Sequence, residues 1–263
     1  MSERMTRISS RGNSAVKEFV KLRGNPTAHH PYFVVDGEKL VAEVVKSKHQ
    51  IVRLFVRVGS EEAAIDIPAS ERVVVTPEVM QKLSAHAQPA RMVAVCERTS
   101  DFHSGSIVGR WPWLVLDGVQ DPGNVGAIFR SAEAFGGLPM IMLPPSTTPF
   151  SVKVIRASAG SSLRGLYWRV STHEEFMQVV REQQVQLWSL DPEGGTVLDM
   201  IDPGKRAAFI LGNEGHGISP FFQSVKTKTV RIPMSRDVNS LNVATSAALL
   251  AYHLFGETGR PSP

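Results

Sequence analysis

Short apolar runs alternate with helical stretches throughout the second half of the chain, and this alternation restricts the possible folds more than any other feature. The runs Trp113 to Leu116, Met140 to Leu143, Leu166 to Val170, Gln186 to Ser189, Ala207 to Leu211 and Thr229 to Ile232 read as strands. Between and after them, Val125 to Phe135, Val152 to Ala159, Glu174 to Glu182 and Leu241 to Phe255 read as helices. Strands separated by helices predict an α/β fold with a mostly parallel sheet covered on both faces. In the last helix Leu241, Ala244, Ala248, Ala251 and Phe255 recur at helical spacing, and the alanines allow close backbone approach to its own sheet or to another subunit.

The first half carries a smaller α/β pattern. Tyr32 to Val35, Ile51 to Val56, Arg72 to Val75 and Arg91 to Glu97 read as strands, with helices expected at Gly37 to Val45 and Pro77 to Leu83. The polar stretch Arg98 to Ser106 has no periodicity and suits a linker. The expected organisation is a basic arm over 1–30, a small domain over 31–98, a linker over 99–112 and a larger domain over 113–257. The arm holds Arg4, Arg7, Arg11, Lys17, Lys21 and Arg23 against Glu3 and Glu18, a surplus equal to the net charge of +4 for all 263 residues. Such an arm favours a polyanion such as RNA; the alternative is a solvated tail without a partner.

Several classes are disfavoured. No window of 18 or more residues is continuously apolar, and the N-terminus lacks the apolar segment of a secretory signal, so a cytoplasmic protein without a membrane span is expected. The single cysteine, Cys96, lies in the apolar run Met92 to Cys96 and reads as a core residue. The eight histidines lack zinc-site spacing, so no metal is expected.

Three loops carry the candidate chemistry. In Leu114-Val115-Leu116-Asp117-Gly118-Val119-Gln120-Asp121-Pro122-Gly123-Asn124 a strand ends in a turn, with Asn124 at an expected helix N-cap and Arg130 six residues on. An arginine there can clamp a phosphate or form an ordinary surface ion pair. In Leu211-Gly212-Asn213-Glu214-Gly215-His216-Gly217-Ile218 three glycines surround one carboxylate, permitting close backbone approach to a ligand or simply tight turns. In Ile232-Pro233-Met234 through Asn239-Ser240-Leu241-Asn242-Val243-Ala244 a strand stops at proline, and Asn239 or Ser240 is expected to cap the last helix. Neither a dinucleotide fingerprint nor a P-loop is present.

In this order, D-P-G-N-V-G-A-I-F-R-S-A, L-G-N-E-G-H-G-I and I-P-M followed by S-L-N-V-A resemble the three signature motifs of the SpoU (TrmH-like) group of SPOUT RNA 2′-O-ribose methyltransferases. The resemblance covers residues 113–255. More loosely, P-Y-F-V-V-D-G-E-K-L-V-A-E-V-V and L-S-A-H-A-Q-P resemble the substrate-binding domain that precedes the catalytic domain in ribosomal-RNA members, with Gln88 where a threonine is usual. The resemblance implies a C-terminal trefoil knot, an exception to the rule against threaded chains. It further implies a homodimer and S-adenosyl-L-methionine held by Leu211, Gly212, Asn213, Gly217, Ile232, Met234, Leu241 and Asn242. Its implied catalytic residues are Arg130, Asn124, Glu214, Ser240 and Asn242, with Arg130 assisting deprotonation of a ribose hydroxyl while holding a phosphate. Because an arginine is a poor base, the clamping role is favoured. The third loop departs from the pattern at Arg236, where glycine is frequent, and at Ala244, where serine is common.

The expected function is methyl transfer to a ribose 2′-hydroxyl, most directly in 23S ribosomal RNA. A transfer-RNA methyltransferase and a ribosomal-RNA antibiotic-resistance enzyme share the same chemistry. A non-catalytic RNA-binding or ribosome-assembly protein is the alternative from another class, separable by cofactor binding without methyl transfer.

Overall fold

The computed structural model describes residues 5–24, 30–85, 88–98, 104–202, 206–213, 215–235 and 237–258. The chain divides into two compact units, Met1–Asp101 with Thr148–Arg164, and Phe102–Thr147 with Gly165–Pro263.

The first unit contains β1 (Thr6–Ile8), α1 (Ser14–Gly24), β2 (Tyr32–Asp36), α2 (Glu38–Lys46), β3 (Gln50–Arg57), β4 (Glu71–Val75), α3 (Pro77–Leu83) and β5 (Met92–Glu97). Its five strands form a mixed sheet in the order β1-β4-β3-β5-β2. β1, β4 and β3 run parallel, whereas β5 lies antiparallel to both β3 and β2.

The N-terminal segment differs from the expected arm. Val16, Phe19 and Leu22 of α1 are buried in the core with Phe55, Val73, Met80 and Leu83, and β1 extends the sheet. Part of its positive charge is structural: Arg23 Nη1 donates to the carbonyls of Lys82 (3.2 Å) and Leu83 (2.5 Å) at the end of α3, where the helix dipole favours a cation. Lys17 and Lys21 remain exposed. Apolar spacing within a charged segment, not its charge total, decides this element.

Two pieces of the N-terminal sequence motif meet in the structure. Asp36, buried at the end of β2, accepts from Ser84 Oγ (3.0 Å) and from the Ala85 amide (2.6 Å). The helix expected at Val152 to Ala159 is present over Val152–Ala157, and its surrounding segment packs within this first unit. Phe150 lies 4.9 Å from the Phe33 ring and beneath the Arg98 guanidinium, while Arg164 pairs with Glu43.

The elements that follow β5 are α4 (Ser104–Ile107), β6 (Trp113–Asp117), α5 (Pro122–Ala134), β7 (Met140–Leu143), α6 (Val152–Ala157), β8 (Tyr167–Arg169), α7 (His173–Glu182), β9 (Gln186–Leu190), β10 (Thr196–Val197), β11 (Ala207–Leu211), α8 (Pro220–Gln223), β12 (Lys228–Arg231) and α9 (Val243–Thr258). Of these, α6 belongs to the first unit. The other strands form the sheet β10-β12-β9-β11-β6-β7-β8, all parallel.

Strand alternation sorts the side chains of this sheet. Trp113, Val115, Ile141, Leu143, Ala208 and Ile210 pack on one side with Phe176 and Val180 of α7. On the other side, Phe129 of α5 meets Tyr167, the register partner of Met140. Both faces are thus covered, which explains why β6 and β11 are apolar along their length rather than alternating. Ala244, Ala247, Ala251 and Leu254 form the buried stripe of α9, one position away from the expected stripe at Ala248 and Phe255.

Candidate active site

The carboxyl ends of β9, β11 and β12 surround a cavity of about 290 Å³, near the lower end of the usual range for ligand pockets, roughly 300 Å³ upward. Ligands of open parallel sheets bind in this position, where strand order departs from chain order. Here β11 sits between β9 and β6, and β12 between β10 and β9.

The first wall is the glycine-rich loop after β11. Asn213 and Gly217 exchange two backbone hydrogen bonds of 2.8 Å, closing a miniature hairpin, and Gly217 has φ +68°. Asn213 Oδ1 accepts from the Gly215 amide (2.8 Å), which orients the side chain so that Nδ2 donates to the Gly118 carbonyl (3.0 Å). Gly212 is required by crowding: a Cβ there would lie 2.3 Å from the Gly217 carbonyl carbon.

The second wall is the loop between β12 and α9, with Ile232, Met234, Ser240 and Leu241 on the cavity. Asn242 caps α9, accepting from the amides of Ala244 (2.8 Å) and Thr245 (3.4 Å). This corrects the expected cap at Asn239 or Ser240. With Oδ1 committed to those amides, Asn242 Nδ2 donates to Asn124 Oδ1 (3.0 Å), joining the first and third sequence motifs. Asn124 in turn is not the cap of α5. Asp121 is, its carboxylate accepting from the Asn124 amide (2.9 Å), with Pro122 in the first helical turn.

Leu211, Gly212, Asn213, Gly217, Ile232, Met234 and Leu241, all expected at a cofactor, line this one cavity, and Ser240 joins them. Asn242 is not among the lining residues and acts through its cap and its bond to Asn124. Arg130 is also outside the lining; it is exposed on α5, and its guanidinium makes no hydrogen bond or ion pair with a described residue. Glu214 and Arg236 lie outside the described residues.

Sequence reasoning missed a third wall, Leu190 at the end of β9 with Asp191 and Pro192 after it. The signal was present: Asp191-Pro192-Glu193-Gly194 is a turn sequence at the carboxyl end of a parallel strand. Among the described residues, Asp191 is the one charged side chain in a lining otherwise made of apolar side chains, small polar groups and backbone.

Residues 112–252 match the sequence model of the SpoU rRNA methylase family, and residues 13–94 match that of an MRM3-like substrate-binding domain. The 23S rRNA guanosine 2′-O-methyltransferase RlmP of Bacillus subtilis is 26% identical, covering 96% of this chain and 100% of its own length. RlmB of Bordetella pertussis, a 23S rRNA guanosine 2′-O-methyltransferase, is 31% identical over 68% of this chain and 76% of its own. Among solved structures, the AdoMet-bound rRNA methyltransferase of Sinorhizobium meliloti superimposes with a TM-score of 0.82 at 25% identity, covering 95% of this chain and 97% of that one.

Proposed function

The chain belongs to the SpoU rRNA methylase family, and from that premise we propose that it transfers a methyl group from S-adenosylmethionine to a ribose 2′-hydroxyl of large-subunit ribosomal RNA. The observation that carries this reading is the convergence of seven of the eight expected cofactor residues on one cavity at the carboxyl ends of parallel strands.

The residues suit the cofactor. Leu190, Leu211, Ile218, Ile232, Met234 and Leu241 form an apolar slot for an adenine ring, and the hairpin at Gly212 and Gly217 brings backbone to its edge. When bound, the sulfonium supplies an electrophilic methyl group. The protein's task is then to hold the ribose oxygen in line and to help its proton leave. Arg130 suits the holding role, because its planar, permanently charged fork grips a phosphate bidentately. Ser240 stands on the cavity, and the Asn124–Asn242 bond fixes the neighbouring loops to each other. Glu214 keeps the role of positioning RNA or cofactor that its motif implies.

The reading extends to a homodimer and a trefoil knot. An exposed Arg130 outside the cavity lining fits a reaction centre completed by a second copy, and exposed Leu249 and Tyr252 on α9 supply apolar surface for one. The insertion of β11 and β12 between strands formed earlier in the chain supports threading of the C-terminal segment. Exposed Lys17 and Lys21 on α1 give the first unit cations for RNA phosphates, and the enzyme would act in the cytoplasm, where ribosomal RNA is modified.

The test is incubation with labelled S-adenosylmethionine and separate ribosomal and transfer RNA pools from cells lacking the gene, followed by mapping of alkali-resistant linkages. One labelled ribosomal position is expected. Label confined to transfer RNA overturns the substrate, and cofactor binding without label in any pool supports the non-catalytic alternative. Arg130→Ala should abolish transfer and spare cofactor binding.

A further inference from the structure

Asp117 ends β6 with a carboxylate that is only 2% exposed, after four residues that are entirely apolar. Burying a charge without partners is costly, so its contacts show what it is for. Oδ2 accepts from the Ser219 amide at 2.7 Å, the short distance of a charge-assisted bond, and Oδ1 lies 3.1 Å from Nε2 of His173, the first residue of α7. The imidazole is itself braced by the rings of Phe221 (4.8 Å) and Phe222 (5.7 Å). Among the described residues the buried Ser219 Oγ has no hydrogen-bond partner, and the contact made by Ser219 to Asp117 is through its amide.

Ser219 follows the glycine-rich loop that walls the cavity. That loop is tied to the β6 end at three places: Leu211 pairs with Leu116, Asn213 Nδ2 reaches the Gly118 carbonyl, and the Ser219 amide reaches Asp117. Asp117 itself does not line the cavity. We propose that Asp117, braced by His173, is a positioning residue for cofactor binding: by holding the Ser219 amide it sets where the wall formed by Gly212, Asn213, Gly217 and Ile218 stands. The inference rests on the cofactor reading above.

The test uses the full-length protein with Asp117→Ala and Asp117→Asn. The readouts are S-adenosylmethionine binding by calorimetry, amide exchange of residues 211–219 without cofactor, and kcat at saturating cofactor. Loss of a hydrogen bond to a buried charge should weaken binding about 10- to 100-fold in Asp117→Ala. Exchange in the loop should accelerate, while kcat at saturation stays near wild type because Asp117 does not reach the reacting atoms. Asparagine still offers an oxygen to the Ser219 amide and should recover most of the affinity. A folded Asp117→Ala protein with unchanged affinity and exchange overturns the proposal, as does lost kcat with unchanged affinity. If Asp117→Ala does not fold, His173→Ala replaces it, with faster exchange at Ser219 and weaker binding expected; no change in either overturns the role. Wild-type protein that binds no S-adenosylmethionine overturns the cofactor reading and this inference with it, whereas wild-type binding with indifferent variants overturns the positioning role alone.

Discussion

Gly212→Ala places one methyl group where the structure has no room for it. The added Cβ would lie 2.3 Å from the Gly217 carbonyl carbon, 2.4 Å from its oxygen and 2.5 Å from the Ile218 nitrogen. Favourable contacts between heavy atoms begin at about 3.5 Å. All three neighbours are backbone, so no side chain can swing aside. Relief requires the Asn213–Gly217 pair to separate, which breaks its two 2.8 Å hydrogen bonds. At about 1 kcal/mol net for each bond, the loss is roughly 2 kcal/mol. Alanine also restricts the unfolded chain and returns about 0.4–1 kcal/mol to stability, which is smaller and leaves the sign unchanged. If the displaced loop is the cofactor wall, that strain appears as an approximately 10- to 30-fold weaker dissociation constant. Calorimetric titration of S-adenosylmethionine measures it. Gly215→Ala is the control from the same loop, since its Cβ would meet Asn213 Oδ1 at an ordinary 3.5 Å. Affinity in Gly212→Ala equal to that of Gly215→Ala would refute the reasoning.

Asn242→Ala removes the cap of α9 and should cost about 1 kcal/mol, read as a lower melting temperature. Asn242→Asp keeps an acceptor for the Ala244 amide but cannot donate to Asn124, so its melting temperature should hold while methyl transfer falls. His49 is 7% exposed, and burial together with the nearby Arg98 charge lowers its pKa to about 4. Between about pH 6.5 and 4 the unfolded chain therefore binds a proton that the folded chain does not, so stability falls as the pH drops through that window, by at most about 3 kcal/mol. His49→Gln should flatten the acid side of a melting-temperature profile, and parallel profiles for the two proteins would contradict this. If the reaction centre is shared between protomers, mixing Arg130→Ala with Gly212→Ala protein, at cofactor held well below the Gly212→Ala dissociation constant so that this variant alone is nearly inactive, should restore activity to roughly a quarter of wild type, through mixed dimers with one intact site. No recovery on mixing would place each site within one chain.

Much of this site is legible in the sequence because the informative signals are local. An apolar run fixes a strand, Asp-Pro-Gly or a glycine cluster fixes the turn after it, and a parallel sheet brings those turns to one edge. The caps slipped because Asp, Asn and Ser all serve at a helix start, and only geometry chooses among them. Asp121 prevails over Asn124 with Pro122 directly after it, and Asn242 prevails because its oxygen reaches the Ala244 amide. In the N-terminal segment, Val16, Phe19 and Leu22 are spaced for one helix face, but six cations interspersed with them mask that short apolar pattern. Strand order was not legible at all, since nothing local states that β11 enters between β9 and β6.

The connections that turn three loops into one site are invisible to local reading for the same reason. Asn213 reaches Gly118 across 95 residues, Ser219 reaches Asp117 across 102, and Asn242 reaches Asn124 across 118. Each bond joins a loop of the cavity, or the cap beside it, to the segment that ends β6 and begins α5. That segment contributes no lining residue of its own, although it carries the most extended motif in the sequence. On the proposed reading its residues divide their work physically: Asp117, Gly118 and Asn124 would hold the walls of the pocket in place, and Arg130, exposed on the same helix as Asn124, would engage the RNA. Substitutions in the holding group should appear first in cofactor affinity, and substitution of Arg130 should appear in transfer.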